Sequence, residues 1–479
     1  MRVAVAGSVS SGKSTLVNAL VGAELTVTGL NPVTFTPTVL RHAAEPAVTV
    51  HFLDGRPREH HPLTSLARFT ARLPDTDASK NIAWVEVRGP LPRLRSFDLV
   101  DTPGFGSRFE ADTQAALAAL GLTPEAVSSA TADQLTRADA VLAVLNAGVS
   151  RSDADLLTRF RGKGLALSPV TCVGVLTKVE LMWPGEARRP VSNPLDHCGR
   201  IAERIMAVPG MSRLLHDVHP VCSKVSEAAW SMSEEDHADL ASLARTDPVL
   251  LHKRLRVHRA FAEGPCEDLP LPPERRARLV RRFGQYGIAL ATALIREGVE
   301  ALGELRAELD RRSGMESLRK ALMRHFGHRS ELIKVGRILD AVHAVDTGQL
   351  FVDDPRTGGA VEDALRRVTA LERDELAFAE LRMLTRWYQG ELPLPEADAA
   401  ELRTVMGEHG SSVAERLGLP PRTPLGEMER TALARLGHWR ASPLMNHPGG
   451  RTPVQLMQLR YEQLCQRVRA ARALLEDAD

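Results

Sequence analysis

Long apolar runs are missing from this chain of 479 residues. The most apolar stretch, YGIALATALI, falls well short of the roughly 18 residues that a membrane span requires, so a spanning protein is excluded and a peripheral one is not. Cysteine is sparse as well. Cys172, Cys198, Cys222, Cys266 and Cys465 are scattered, with no C-x-x-C pair, which argues against a structural zinc and for ordinary buried thiols in a reduced compartment. Net charge is nearly absent. At +1 there is no global attraction to nucleic acid or to an anionic membrane, so either partner would need a local patch. The first residues read as a strand rather than a signal sequence. Lysine is scarce beside arginine, and Lys13, Lys178 and Lys224 therefore stand out. The length suits two or three domains.

What is present begins at once. MRVAVAGSVSSGKSTLVNAL holds G-x-x-x-x-G-K-[ST] between a β-branched run (Val3, Val5) and Leu16, Val17 and Leu20 at helical spacing. Gly7 and Gly12 let the turn curl, so that backbone N–H groups from Ser10 to Thr15 converge on phosphates at a helix N-terminus. Lys13 is placed for the β- and γ-phosphates and the Ser14 hydroxyl for Mg²⁺.

SFDLVDTPGFG supplies a second element. Phe97, Leu99 and Val100 read as a buried strand delivering Asp101 to the Mg²⁺ shell, with Thr102 beside it and the Gly104 N–H at the γ-phosphate. SPVTCVGVLTKVELM reads as another buried strand ending in Thr177-Lys178-Val179-Glu180, the slot where GTPases carry [NT]-K-x-D. There the lysine stem packs on the purine and the carboxylate accepts from the guanine N1–H and amine. Glu180 is one methylene longer and can make the same contact, so GTP is favoured over ATP. Between these elements TGLNPVTFTPTVLRHA offers Thr34, Thr36 and Thr38 as the switch threonine, Thr34 first. VHPVCSKVSEAA fits the loop that flanks the base, with Cys222, Ser223 and Lys224 beside the purine.

The T-K-x-[D/E] form of the base motif, with a serine two places before the Gly-Lys pair, resembles the dynamin superfamily. LPPERRARLVRRFGQYGIALATALI, LDRRSGMESLRKALMRHFGHRSELIKVGRILDAV, LERDELAFAELRMLTRW and ARLGHWRASPLMNHP look like the actinobacterial isoniazid-inducible dynamin-like proteins. The likeness covers nearly the whole chain. It implies a GTPase head on an elongated helical stalk that acts on membranes as a homodimer, joined through the heads, or as a larger assembly. It also implies that Ser10 helps to hold K⁺ or Na⁺ in place of an arginine finger, that Thr34 is the switch threonine, and that Lys13, Thr34 and Gly104 complete the catalytic set. Arg108 then reads as a solvated loop residue. Two departures matter: Val9 stands where eukaryotic dynamins carry a water-organising glutamine, which bears on rate, and Glu180 stands for aspartate. Bacterial dynamins commonly place a helix ahead of the head, whereas this sequence starts on the first strand; the neck is expected from C-terminal segments unless further residues precede the given start.

From about Asp268 the strand pattern ends. Leu290, Leu294, Ala301, Leu305 and Leu309 recur at helical spacing in what reads as one long helix, and VDDPRTGGAVED reads as a glycine-rich connection. Arg275, Arg278 and Arg282 share a helical face that suits either lipid phosphates or plain solvation. Met315 or Leu350-Phe351 are candidates for an apolar tip. His60, His61, His216 and His219 read as loop histidines rather than metal ligands. The expected architecture is an α/β P-loop GTPase head, with a mixed, mostly parallel sheet and helices on both faces, over residues 1–265, followed by an all-α bundle over 266–479. The expected function is Mg²⁺-dependent hydrolysis of GTP to GDP, stimulated by assembly and coupled to a peripheral membrane lipid at the inner face of the cell membrane. The protein is expected in the cytoplasm and without a nucleic-acid partner. The other reading is a soluble GTP-dependent switch or scaffold whose helices bind a protein.

Overall fold

In β1 (Arg2–Gly7) the residues from Val3 onward are buried on both faces, as a central parallel strand requires. The computed structural model describes residues 1–8, 10–23, 25, 36–70, 82–102, 138–146, 169–186, 189–208, 210–327, 333, 335, 355–388, 390–392, 394–408, 410–446 and 450–476. Around β1 lie β2 (Thr38–His42), β3 (Ala47–Phe52), β4 (Glu59–His61), β5 (Ile82–Gly89), β6 (Asp98–Asp101), β7 (Ala140–Asn146), β8 (Cys172–Thr177) and, after a separate two-stranded pair, β9 (Gly185–Glu186) and β10 (Arg189–Pro190), the last strand β11 (Val218–Pro220). The sheet runs β11-β8-β7-β1-β6-β2-β5-β3-β4. From β11 to β6 every pairing is parallel, and direction first reverses between β6 and β2. Five neighbouring C-terminal strand ends therefore lie along one edge, where ligands of open α/β sheets sit.

By packing, the chain forms two compact units, Met1–Leu167 with Cys172–Lys320, and Ser168–Thr171 with Ala321–Asp479. A boundary at residue 265 follows from where the strand pattern ends; packing carries the first unit on to Lys320. Among the described residues its α-helices are α1 (Lys13–Val21), α2 (Leu66–Thr70), α3 (Pro194–Met206), α4 (Ser223–Ser231), α5 (Glu234–Ala244), α6 (Pro248–Leu255), α7 (His258–Glu263), α8 (Pro273–Arg296), α9 (Leu302–Arg312) and the start of α10 (Met315–His325). The expected single long helix is two. Gly298, at φ 98°, breaks it between α8 and α9, and Gly284 interrupts α8 at φ 67°; these are left-handed conformations that favour glycine.

The basic face of α8 does not meet solvent as a free patch. Arg275 donates to Asp239 at 3.0 Å, Arg278 pairs with Asp239 at 2.9 Å and with Glu235, and Arg282 pairs with Asp236 at 2.9 Å. Asp236 and Asp239 are fully buried on α5, and buried carboxylates need such partners. Those arginines therefore hold α8 to α5. Met315 is likewise buried rather than a tip, while Leu350-Phe351 lies outside the described residues.

The second unit contains only helices among its described residues: the end of α10, then α11 (Pro355–Asp374), α12 (Leu376–Tyr388), α13 (Glu396–Val405), α14 (Val413–Arg416), α15 (Leu425–Arg440) and α16 (Arg451–Glu476). Helix α11 occupies part of the expected glycine-rich connection, because Pro355 takes the first turn, where its missing N–H costs nothing. The core joins Met383, Leu402, Met428, Trp439, Met457 and Tyr461. Within it Glu401 accepts from Trp439 Nε1 and Tyr461 Oη, both at 2.7 Å, and Glu380 is paired by Arg416 and Arg460 at 2.8 and 2.5 Å. No helix among the described residues is long and apolar enough to cross a membrane.

Candidate functional site

The loop from β1 to α1 is shaped by close approach. A Cβ on Gly7 would lie 2.7 Å from the Val144 carbonyl of β7, and Gly12 turns the chain into α1 at φ 93°. Ser10 is exposed at φ 58°, and Ser11 is fully buried, its amide bonded to Ser8 O at 3.2 Å. The Lys13 ammonium folds back over the loop and donates to Gly7 O at 3.2 Å and Ser8 O at 2.8 Å. Burial lowers its pKa to about 8, against the pull of Asp101 and with a push from Lys178. Lys13 is thus a desolvated cation held at the mouth of an amide-lined turn, and anions gain most from such a charge.

Asp101 ends β6 directly beside that loop. It is buried, and its Oδ2 accepts from Ser14 Oγ at 3.1 Å; Oδ1 has no hydrogen-bond partner among the described residues. Burial lifts its pKa to about 6, although Lys13 and the Ser14 hydroxyl hold it down. An orphaned carboxylate oxygen beside a hydroxyl on the adjacent helix start is a hard-oxygen donor set, and it fits a Mg²⁺ ion that keeps several waters. Thr102 is spent on structure: its hydroxyl donates to Val5 O at 2.7 Å. Thr15 sits half-buried in the first turn of α1.

The third part comes from β8 and β11. Thr177 donates to Ser11 O at 2.5 Å and to Leu145 O at 3.2 Å, so it fastens the phosphate loop to the sheet. Lys178 follows in a left-handed conformation at φ 58°, and Val179–Met182 form a single 3-10 turn. Within it Glu180 is buried, with Oε2 unpartnered among the described residues. Burial pushes its pKa up to about 6, with Lys224 and Lys178 opposing. Ser223 and Lys224 open α4 after β11; burial lowers the Lys224 pKa while Glu180 and Glu227 raise it. Cys222, also buried, precedes them.

Gly7, Ser8 and Ser10 to Thr15, with Asp101 and Thr102, Thr177 to Glu180, and Ser223 and Lys224, are therefore brought to one edge of the sheet. Thr34, Gly104, Val9 and Arg108 lie outside the described residues. Thr36 and Thr38 are buried, Thr38 opening β2 opposite Asp101. His60 and His61 prove to be on β4 and His219 on β11 rather than in loops, because each completes a strand pairing; no group of three metal-ligating side chains occurs among the described residues. All five cysteines are free and buried.

Two positioning residues were not expected from the sequence. Asn18 of α1 donates to Glu227 of α4 at 2.6 Å and accepts from Leu25 N at 3.1 Å, which ties the phosphate-loop helix to the helix that carries Lys224. An asparagine on an otherwise apolar helix face was the available sign. Arg93 stacks on Trp230 of α4 at 4.0 Å and donates to Ala19 O of α1 at 3.1 Å; nothing local in the sequence marks it.

The dynamin family profile matches residues 3–179. The isoniazid-induced protein IniC of Mycobacterium tuberculosis is 30% identical over 454 residues, covering 94% of this chain and 86% of that protein. Dynamin-like protein 2 of Campylobacter jejuni is 37% identical over 113 residues, 24% of this chain and 18% of that one. A solved structure of an oligomerised bacterial dynamin pair aligns over 100% of this chain and 86% of that chain, at 13% identity and a TM-score of 0.31.

Proposed function

The chain belongs to the dynamin family, and from that premise we propose that it hydrolyses GTP at the sheet edge that carries Lys13, Asp101 and Glu180. The supporting observation is the convergence there of three separately coded parts: a desolvated lysine in an amide-lined loop, a carboxylate–hydroxyl pair, and a buried carboxylate flanked by lysines. Lys13 and the amides from Ser10 to Thr15 bind the β- and γ-phosphates. Ser14 and Asp101, with Thr34 from switch I, would hold Mg²⁺, which would supply charge neutralisation on the phosphates. The backbone at Thr34 and Gly104 orients the attacking water. Thr177 braces the loop, Lys178 lies along the purine, Glu180 accepts from the guanine edge, and Ser223 and Lys224 flank it. Ser10, exposed on the loop, suits a K⁺ or Na⁺ ion shared across a pair of heads.

Residues 1–265 form the GTPase domain in this reading, with 266–479 transmitting its state to a peripheral membrane lipid at the inner face of the cell membrane. Two heads meet across the nucleotide, alone or within a larger assembly. A second reading, a soluble GTP-dependent switch or scaffold with a protein partner, draws support from the carboxylate pairing of Arg275, Arg278 and Arg282 and from the burial of Met315, which leave those sites unavailable to lipid.

Positive charge supplied at the moment of assembly is worth on the order of 10³ to 10⁵ in rate in other GTPases. Specific activity of the full chain is therefore expected to climb steeply with protein concentration in K⁺ and to stay low without K⁺ or Na⁺. A rate independent of both concentration and cation would remove the dynamin mechanism and favour the switch.

The raised Glu180 pKa gives a pH test. Between the ordinary 4.5 and about 6 the folded state keeps a proton that the unfolded chain releases. This group's contribution to stability is thus full in acid and lost as pH rises through 6. Guanine binding needs the ionised form and runs the opposite way. Preference for GDP over ADP is expected to shrink below pH 6, and competitive titrations on either side of that pH would show it.

A further inference from the structure

Residues 245–259 carry five arginines and lysines, two histidines and a single acid, Asp247, in a protein whose net charge is only +1. Helix α6 buries Leu251 and Leu255 on one side. At 3.6 residues per turn, Val249, His252, Lys253 and Arg256 fall together on the other, and all four are exposed. Val249 is 76% exposed, and Val257, at the joint between α6 and α7, is 58% exposed.

The nearby carboxylates are committed elsewhere. Asp247 caps Leu250 N at 2.8 Å, Asp268 pairs with Arg254 at 2.7 Å, and Glu263 reaches Arg259 at 3.9 Å. Arg245, Lys253 and Arg256 have no ion-pair partner among the described residues. The contrast with α8 is informative: there Arg275, Arg278 and Arg282 each meet a carboxylate of α5, whereas here Arg245, Lys253 and Arg256 have no such partner among the described residues and lie close to exposed Val249 and Val257. His252 rests edge-on against Trp183 at 5.1 Å, three residues beyond Glu180, which holds this face against the loop of the candidate base site.

We propose that the outer face of α6 and the α6–α7 joint dock on an anionic lipid surface, with Lys253, Arg256 and Arg245 among the headgroups and Val249 and Val257 below them. The proposal rests on the membrane reading above and names the surface that would serve it. Charge alone would suit any polyanion, but the valines gain nothing from a phosphate backbone, and the ring on this face, His252, is already engaged edge-on with Trp183 rather than standing free for a base to stack on. The boundary between headgroups and acyl chains favours both kinds of side chain at once.

The test is flotation of the full chain with vesicles of equal parts phosphatidylglycerol and phosphatidylcholine, and with phosphatidylcholine alone, in the absence and presence of GTP. Each cation near such a surface adds about a fivefold gain in binding, so the Lys253→Glu/Arg256→Glu variant is expected to lose on the order of a hundredfold on anionic vesicles. Val249→Ser/Val257→Ser is expected to lose about tenfold, and Arg422→Glu, an isolated exposed cation of the second unit, to change little. Unchanged melting temperatures would show that the exposed substitutions leave the fold intact. Equal flotation of wild type and both double variants would overturn the assignment of this face while leaving the membrane reading standing. No flotation of wild type in any condition would remove both. Binding of single-stranded DNA that the charge variant abolishes, without flotation, would reassign the face to a polyanion and likewise overturn the proposal.

Discussion

Lys13→Ala is expected to lower GTP turnover by roughly 10²–10³-fold, the scale of removing one preorganised charge from a reacting centre, while leaving the nucleotide-free protein as stable as wild type. The second half of that expectation comes from the geometry. The ammonium is buried, its pKa is lowered to about 8, and its hydrogen bonds go to two loop carbonyls, Gly7 O and Ser8 O. Desolvating it costs the folded state about as much as those bonds return, so alanine gives up little stability without a ligand. GDP should raise the melting temperature of wild type and not that of the variant. A variant that turns over GTP normally would show that the loop does not act on the phosphates. One that is already destabilised without nucleotide would show that Lys13 is structural.

Glu180→Ala is expected to weaken GDP binding by roughly a hundredfold, the loss of a charge-assisted pair of hydrogen bonds in a buried site, and to leave ADP binding nearly unchanged. Glu180→Asp should recover much of the preference, because it restores the acceptor pair one methylene shorter. The position of Glu180 is the reason to expect the longer side chain to serve. It lies in a 3-10 turn that Lys178 enters in a left-handed conformation, and its Oε2 is buried without a partner among the described residues. A buried carboxylate oxygen with nothing to accept from is costly and would be satisfied by a donor arriving with the ligand. Equal losses for GDP and ADP would place Glu180 outside base recognition.

Those parts of the site were legible because each is coded within a few residues at a strand end: Gly7 to Ser14, Asp101 with Thr102, and Thr177 to Glu180. Spacing fixes such parts before any tertiary contact forms. What the sequence hid depends on distant partners. Asp310 accepts from Ser226 of α4 and Arg319 of α10 and lies 3.8 Å from Arg93, residues whose meeting no local pattern announces. The same holds for α8, where hydrophobic periodicity runs through Gly284 and on past Gly298 although the chain turns at both. Periodicity reports which face is buried, not whether the axis continues. In PRTGGAVED two glycines argue for a connection, yet α11 forms there, tertiary context outweighing a propensity cost of about 1 kcal/mol per glycine. The basic run of α8 could be read as a lipid patch because its counter-charges, Glu235, Asp236 and Asp239, lie on a separate helix some forty residues earlier.

The measurement that bears most directly on the central claim is a competitive titration of the wild-type full chain with GDP and ADP in the presence of Mg²⁺ at neutral pH. The account predicts that GDP binds at least about a hundredfold more tightly than ADP, through Glu180. Equal affinities, or tighter binding of ADP, would contradict it.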